Sequence, residues 1–330
     1  MGLGIAVGAM GCAPTAAKSP TTRQPVHTLT NTSSPSASPS PMPSAHHTAA
    51  VTHPPHPALP EFTPWLPGSG EIQPHAKLHA VRLIEAIGSW TGGGTKGAAD
   101  RVAALGEDRQ LVSQAAPLLG AGSQAVIRVI DAQYGGILPD AASVLVVCRQ
   151  WRAAGRSVTD GGTTVDVRLS RTGGRWHVTA LHPAHPGRLK LPPSPLATAV
   201  LTNHHIDLPP ASAADLRSGR VHDSVSRALL DLAETYRIGV SVIRSGHPIY
   251  VFGTNRLRDH PRGRAFDTWN IDGHAVVDPT TPRRLIIGYM HDAAAAGSYN
   301  VGGPYLLAGP GNQYFSDATH HDHVHAGFLA

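Results

Sequence analysis

The sequence predicts an α+β fold of two domains, each a mostly antiparallel sheet packed with helices, preceded by a disordered linker. Three observations predict it. Residues 13–72 consist mainly of Ser, Thr, Pro, Ala and His, so they cannot bury enough apolar surface to offset the entropy of ordering. From about Ile72 the composition becomes that of a globular protein. Beyond it, segments with helical apolar spacing precede segments in which apolar and polar residues alternate between glycine turns.

The first domain is expected to cover residues 73–183. Gly173-Gly174 separates two alternating segments and predicts a hairpin, whereas 124–134 fits either a helix or a strand. Helices followed by a curved antiparallel sheet resemble the nuclear-transport-factor-like cone folds, a resemblance that implies an accessory domain. No group of chemically reactive residues stands out in this domain. The predicted elements are helices over 75–87, 97–105 and 107–118, and strands over 142–151, 163–170 and 175–181.

A second Pro-rich linker, residues 184–196, precedes the C-terminal domain, residues 197–330. Asp272-Gly273 is the strongest hairpin signal in this domain. Gly297 follows a segment with helical spacing and is expected to end that helix. The predicted elements are helices over 225–236 and 283–296, and strands over 238–243, 265–271, 275–277 and 322–329.

The net charge of +5 and the pI near 9.5 suit an anionic polymer or surface as a partner. The basic residues are scattered, however, with no Lys/Arg run and no alternation of basic and aromatic residues, so we expect no nucleic-acid partner. No stretch reaches the roughly eighteen apolar residues that a membrane span needs.

Residues 1–12 are small and apolar and end in Cys12. They resemble the end of a bacterial lipoprotein signal, although no Lys or Arg precedes the apolar run. This resemblance implies lipid attachment at Cys12 and a chain that is anchored to the outer face of the bacterial cell membrane, or else secreted. The linker would then hold the domains some distance from the membrane. The other cysteine, Cys148, lies in a predicted strand and is expected to be buried and inert, without a disulfide to Cys12.

The chemistry is concentrated in two short stretches of the C-terminal domain. His260 and Asp267 are seven residues apart, with Pro and Gly between them, which places His260 on a loop and Asp267 at the start of a strand. His323 and His325 are two apart on a predicted strand and therefore share a face. Imidazole and carboxylate are ligands of zinc, and three protein ligands with one open position make a catalytic site.

The pattern consists of a histidine, six further residues, an aspartate and a distant His-x-His. It resembles the zinc peptidases that include D-Ala-D-Ala carboxypeptidases, peptidoglycan endopeptidases and the hedgehog signalling domain. Gly263, Ala265 and Asp267 match the Gly-x-Ala-x-Asp of that family. The resemblance covers residues 197–330. It implies that His323 positions water or steadies a charged intermediate, and that the zinc ligands are His260, Asp267 and His325.

The chain departs from the family pattern in three places, one of which is that no Glu, the catalytic base of some relatives, directly precedes the terminal motif. Many relatives carry Ser two residues before the first histidine, where this chain has Arg258. Many also carry Ser-Gly-x-Arg upstream, whose arginine stabilises an oxyanion or binds a carboxylate, whereas here Ser245-Gly246 is followed by His-Pro. The residues that could replace this arginine are Arg244, Arg256 and Arg264, and Arg244 and Arg256 are kept as candidate catalytic residues.

Other residues near the terminal motif receive weaker expectations. Asp322 would face away from His323 if both lay on the final strand. His320 and His321 are expected at the rim or in solvent. His247 follows Ser-Gly at a place where relatives keep functional groups, and its role is left open between functional and structural. The sequence thus predicts an extracytoplasmic zinc metallopeptidase, either a carboxypeptidase or an endopeptidase, that hydrolyses peptidoglycan stem peptides. The alternative is a catalytically inactive, zinc-stabilised module that binds cell-wall peptide.

Overall fold

The computed structural model describes residues 58–92 and 94–329. The signal-like segment with Cys12, and the linker as far as residue 57, lie outside the described residues, so their assignments stay predictions. Trp65 and Ile72 pack against the first core, so the end of the expected linker contributes apolar contacts. None of the described helices is both long enough and apolar enough to cross a membrane.

Helices and two sheets confirm the α+β prediction. The α-helices are α1 (Pro74–Gly88), α2 (Ala98–Ala104), α3 (Leu111–Gln114), α4 (Pro195–Thr202), α5 (Pro210–Arg217), α6 (Asp223–Ala233) and α7 (Arg283–Ala295). The strands are β1 (Trp90–Thr91), β2 (Gln124–Ile137), β3 (Ala141–Ala154), β4 (Ser157–Thr172), β5 (Arg175–Pro183), β6 (Ile206–Asp207), β7 (Ile238–Val240), β8 (Ala265–Ile271), β9 (His274–Ala275), β10 (Asn300–Gly302), β11 (Tyr314–Phe315) and β12 (Val324–Gly327).

The first sheet is an antiparallel meander in the order β1-β2-β3-β4-β5. The segment 124–134, which fitted a helix or a strand, belongs to β2, because Ala125, Ile127 and Val129 alternate into the core as a strand requires. Helix α1 covers this sheet with its apolar face, and the core between them is continuous. Cys148 is buried in β3, as expected.

Strand β2 carries two bulges near its C-terminal end. The register with β3 shifts between Val129 and Asp131, and again between Tyr134 and Gly136. A bulge inserts an extra residue and re-aims the side chains that follow it. Here the bulged segment runs beside the second sheet, and it supplies Gln133 to the candidate site.

The second sheet is mixed, in the order β11-β10-β12-β8-β7-β6, with β9 paired to β8. Its middle strands are antiparallel, whereas the β10–β11 and β6–β7 pairs are parallel. Asp272 and Gly273 have positive φ angles of 54° and 84°, and they form the predicted hairpin turn between β8 and β9. The terminal strand β12 begins at Val324, two residues later than the sequence indicated.

The two sheets contact each other directly. Leu145 and Val147 of β3 form a small apolar cluster with Val242, which follows β7. The Arg258 side chain donates from Nη2 to the Gly135 carbonyl at 2.7 Å. These contacts place the bulged end of β2 against the residues that the sequence singled out.

Candidate metal centre

Two neighbouring strands and one tight turn bring the three predicted ligands together. Asp267 on β8 and His325 on β12 are direct cross-strand partners. His260 begins a short 3₁₀ turn that ends at Gly263, whose φ of 70° lets the chain turn into β8. A Cβ atom at Gly263 would lie 2.0 Å from the Arg220 carbonyl oxygen, so the close approach here also requires glycine.

The donor atoms form a compact triangle. His260 Nε2 lies 3.1 Å from Asp267 Oδ1 and 3.1 Å from His325 Nδ1, and the latter two atoms are 2.9 Å apart. Ligands about 2.0–2.1 Å from a tetrahedral zinc ion are separated by about 3.3 Å, so the spacing fits one ion. The predicted ligand residues are therefore close enough to share a metal.

The histidine rings face the cluster with the atoms that a metal would use. His260 Nδ1 donates to the Ile243 carbonyl at 2.8 Å, so in the neutral ring the lone pair would lie on Nε2, the atom that faces Asp267. A backbone carbonyl can only accept, so it sets the tautomer of the ring, as is usual for metal-binding histidines. Burial lowers the pKa of His325 to about 4, opposed by its hydrogen bond with Asp267, and a metal would replace the Nδ1 proton of that hydrogen bond.

His247 belongs to the same cluster. Its ring stacks on His260 with centroids 4.0 Å apart, and its Nε2 lies 3.9 Å from Asp267 Oδ2. Its Nδ1 donates to the Pro248 carbonyl at 3.1 Å, so Nε2 is free to bind a metal. Burial lowers the pKa of His247 well below its ordinary value. His247, His260 and Asp267 form a group that could hold a metal ion. The sequence left it open whether His247 is functional or structural.

Asp267 is the centre of this cluster and is completely buried. Burial would raise its pKa, but His260 and His323 outweigh burial and hold the pKa well below the usual range. Gln133 of β2 donates from Nε2 to Asp267 Oδ2 at 2.6 Å, and Ser241 Oγ donates to the Gln133 Oε1. The amide of Gln133 is thus held at both ends, and it directs Asp267 Oδ1 towards the histidines.

His323 lies beside the cluster and is oriented by Asp322. Its Nδ1 donates to Asp322 Oδ1 at 2.6 Å, and its Nε2 lies 3.8 Å from Asp267 Oδ1. The expectation that Asp322 faces away was wrong, because Asp322 precedes the strand and the alternation of a strand does not apply to it. Burial lowers the pKa of His323, but Asp267 and Asp322 outweigh burial and raise that pKa above its ordinary value.

A buried lysine stands behind this histidine. Lys77 of α1 is 0% exposed, and its ammonium lies 2.6 Å from Asp322 Oδ2 and also contacts Glu71. Asp322 Oδ2 accepts a further hydrogen bond from the Tyr134 amide at 3.0 Å. Asp131 lies in the same group: burial raises its pKa to about 7, although Lys77 opposes the shift. Lys77 and the Tyr134 amide, the two partners of Asp322 Oδ2, therefore both belong to the first domain.

Glu71, His321 and Asp322 form another group whose spacing could hold a metal ion. The Lys77 ammonium already lies between the two carboxylates and supplies positive charge there. The Nε2 atom of His321 accepts a hydrogen bond from the Ile72 amide at 3.3 Å. His320 is buried, and its Nδ1 forms a hydrogen bond of 2.8 Å with Asp317 Oδ1. It also lines a cleft beside His325.

A cleft of about 590 Å³ opens beside His260 and His325. Arg256 and Arg258 both line it, and Arg258 is the arginine whose charge interacts with Asp267. Arg244 lies elsewhere: its Nη2 donates to the His185 and Pro186 carbonyls at 2.9 and 2.7 Å. Arg244 and Arg256 stay predictions as catalytic residues. Arg258, at the position where relatives carry Ser, was not among the sequence candidates.

No family model, curated protein or solved structure matches the chain. The site itself therefore has to carry any functional conclusion. What the geometry establishes is a buried group of histidines around one aspartate that could hold a metal ion.

Proposed function

We propose that the chain is an extracytoplasmic zinc metallopeptidase that hydrolyses peptidoglycan stem peptides. One observation carries the proposal: His260, Asp267 and His325 offer three donor atoms within 3.1 Å of one another, beside an open cleft. Two imidazoles and one carboxylate are a donor set that catalytic zinc sites use. Zinc held there would polarise a carbonyl and lower the pKa of a water molecule to about 7.

The residues around the donors suit amide hydrolysis. His323 is held by Asp322 with Nε2 towards Asp267, so it can hold a proton or donate a hydrogen bond at the reacting group. Arg258 is anchored by the Gly135 and Tyr250 carbonyls and brings positive charge to the cleft, where it would stabilise a developing oxyanion. Gln133 keeps the Asp267 carboxylate oriented.

The cell-wall substrate is supported by sequence features rather than by the geometry. The motif around Asp267 and the terminal His-x-His resemble the zinc peptidases of peptidoglycan, and residues 1–12 resemble a lipoprotein signal. The proposal includes either a carboxypeptidase or an endopeptidase.

His247 supports a second candidate, a zinc-stabilised module that binds cell-wall peptide without cutting it. If His247 Nε2 joins the other three donors, four protein ligands close the coordination sphere, which is the arrangement of structural zinc. Cobalt substitution separates the two candidates. The enzyme is expected to keep a site that exogenous azide can enter, with a change in the cobalt spectrum, whereas a closed site leaves the spectrum unchanged.

The direct test incubates the full chain with zinc and either peptidoglycan or short stem peptides, and analyses released fragments by mass spectrometry beside metal analysis. Hydrolysis that is lost in His325→Ala supports the enzyme. The matched control is His274→Ala, since His274 is an exposed histidine on β9. Stoichiometric zinc without hydrolysis favours the binding module, and a wild type that binds no zinc contradicts both candidates.

A further inference from the structure

A second and larger cavity, of about 810 Å³, lies on the His247 side of the metal centre. One wall is formed by β4 and β5 of the first sheet, and the other by residues 244–254 of the second domain. Its volume falls within the range of small-molecule sites, roughly 300–1,000 Å³. The metal cleft and this cavity share Val251 and Phe252 as a common wall.

Arg168 of β4 offers unused donors to this cavity. Nε is the Arg168 atom that forms hydrogen bonds with described residues, and it donates to Asp166 Oδ2 at 2.7 Å and to Oδ1 at 2.9 Å. Its guanidinium lies 5.6 Å from the centroid of the Phe252 ring, which holds the group against the cavity wall. The two terminal nitrogens of Arg168 are therefore available in the fork geometry that suits a carboxylate.

Asp166 is the carboxylate that lines the cavity, and it is already engaged. It accepts from Ser143 Oγ at 2.6 Å as well as from Arg168. Asp215 lies behind the wall, where it accepts from the Ser245 amide at 2.7 Å and lies 3.2 Å from the Arg244 guanidinium. The terminal nitrogens of Arg168 are therefore the donors that this wall offers to a ligand.

The remaining wall includes Leu181, Pro183 and Ile249, which suit an apolar body.

We propose that this cavity binds a carboxylate carried on a small, partly apolar group, such as an acidic residue of a peptide. Arg168 contacts the carboxylate, and the apolar wall contacts the rest. The identification of the ligand as a substrate peptide rests on the proposed function, whereas carboxylate binding does not depend on it.

The test is calorimetric titration of the full chain with glutarate, and with neutral glutaramide as the isosteric control. Metal-free protein is used so that glutarate cannot bind zinc. The variant Arg168→Gln removes the donors that contact the carboxylate. Arg171→Gln is the matched control, because Arg171 lies on the same strand outside this cavity.

The expected result is saturable glutarate binding by the wild type and Arg171→Gln, weakened about tenfold or more in Arg168→Gln, with no glutaramide binding. Absence of glutarate binding at millimolar concentrations, or equal affinity in all three proteins, overturns the proposal. Failure of the peptidase proposal would show separately, as glutarate binding without peptide hydrolysis. If the carboxylate belongs to the substrate, glutarate also inhibits hydrolysis competitively.

Discussion

Gln133 of the first sheet donates a hydrogen bond of 2.6 Å to Asp267 of the second, and so connects the two sheets at the metal centre. We expect Gln133→Ala to weaken zinc binding about tenfold to hundredfold, because removing a partner of a metal-binding carboxylate usually has that effect. Competition with a chromogenic chelator measures the affinity. Gln110→Ala, at an exposed position, is the control, and equal affinities in the two variants would contradict the role of Gln133.

Lys77 is completely buried, and its ammonium group neutralises the carboxylates of Glu71 and Asp322. Lys77→Met is expected to reduce the free energy of unfolding by about 3–5 kcal/mol, since it leaves Glu71 and Asp322 without their cation. Urea denaturation of the metal-free protein measures this loss. The exposed Lys96 provides the control variant Lys96→Met, and a comparable effect in both would show that burial of the charge is unimportant.

Asp131 gives the protein a pH-dependent stability. Burial raises its pKa from 3.8 to about 7, so the folded chain holds a proton that the unfolded chain releases between these values. This group therefore favours folding at low pH, and that contribution is lost as pH rises from 3.8 to about 7. Lys77, Glu71, Asp322 and His323 are the charged groups around it.

Asp131→Asn removes this titration without removing the side chain's volume. We expect the variant to match the wild type near pH 4 and to exceed it by roughly 2–4 kcal/mol at pH 8. Urea denaturation at both pH values, in chelator, tests the sign. A variant that is less stable than the wild type at pH 8 would show that the carboxylate is ionised and stabilising there.

Gly263 is constrained by both backbone conformation and space. Gly263→Ala is expected to abolish stoichiometric zinc binding, because the new Cβ would collide with the Arg220 carbonyl and displace His260. Gly273→Ala separates the two effects: its φ is also positive, but nothing lies within 4 Å of an added Cβ. That control should lose only about 1–2 kcal/mol of stability and keep its zinc.

The sequence could indicate His260, Asp267 and His325 because their spacing and the strand alternation are local properties. Gln133 could not be found in this way. It lies 134 residues from Asp267, and the bulge in β2 between Val129 and Asp131 decides where it points. Local alternation predicts only which residues share a face of a regular strand, and a bulge breaks that alternation.

Asp322 shows the opposite error. The predicted terminal strand began two residues too early, so strand alternation was applied to Asp322, which lies before the strand. That alternation predicted a carboxylate facing away from His323, whereas the structure shows a hydrogen bond between them. Lys77 was also missed, because the sequence shows only one lysine in an amphipathic helix. Its burial depends on Glu71 and Asp322 arriving from two other segments.

The order of synthesis follows from where the donors lie in the chain. Asp267 has its hydrogen-bond partners only when both Gln133 and His325 have been synthesised. Strand β12, which carries His325, lies between β10 and β8 and not at an edge of the sheet. A nascent chain that stops short of β12 leaves a gap in the second sheet. Since domains fold as units while the chain grows, the metal site cannot mature before residue 325 has left the ribosome. The candidate donor set therefore stays incomplete until His325 has been added to the chain.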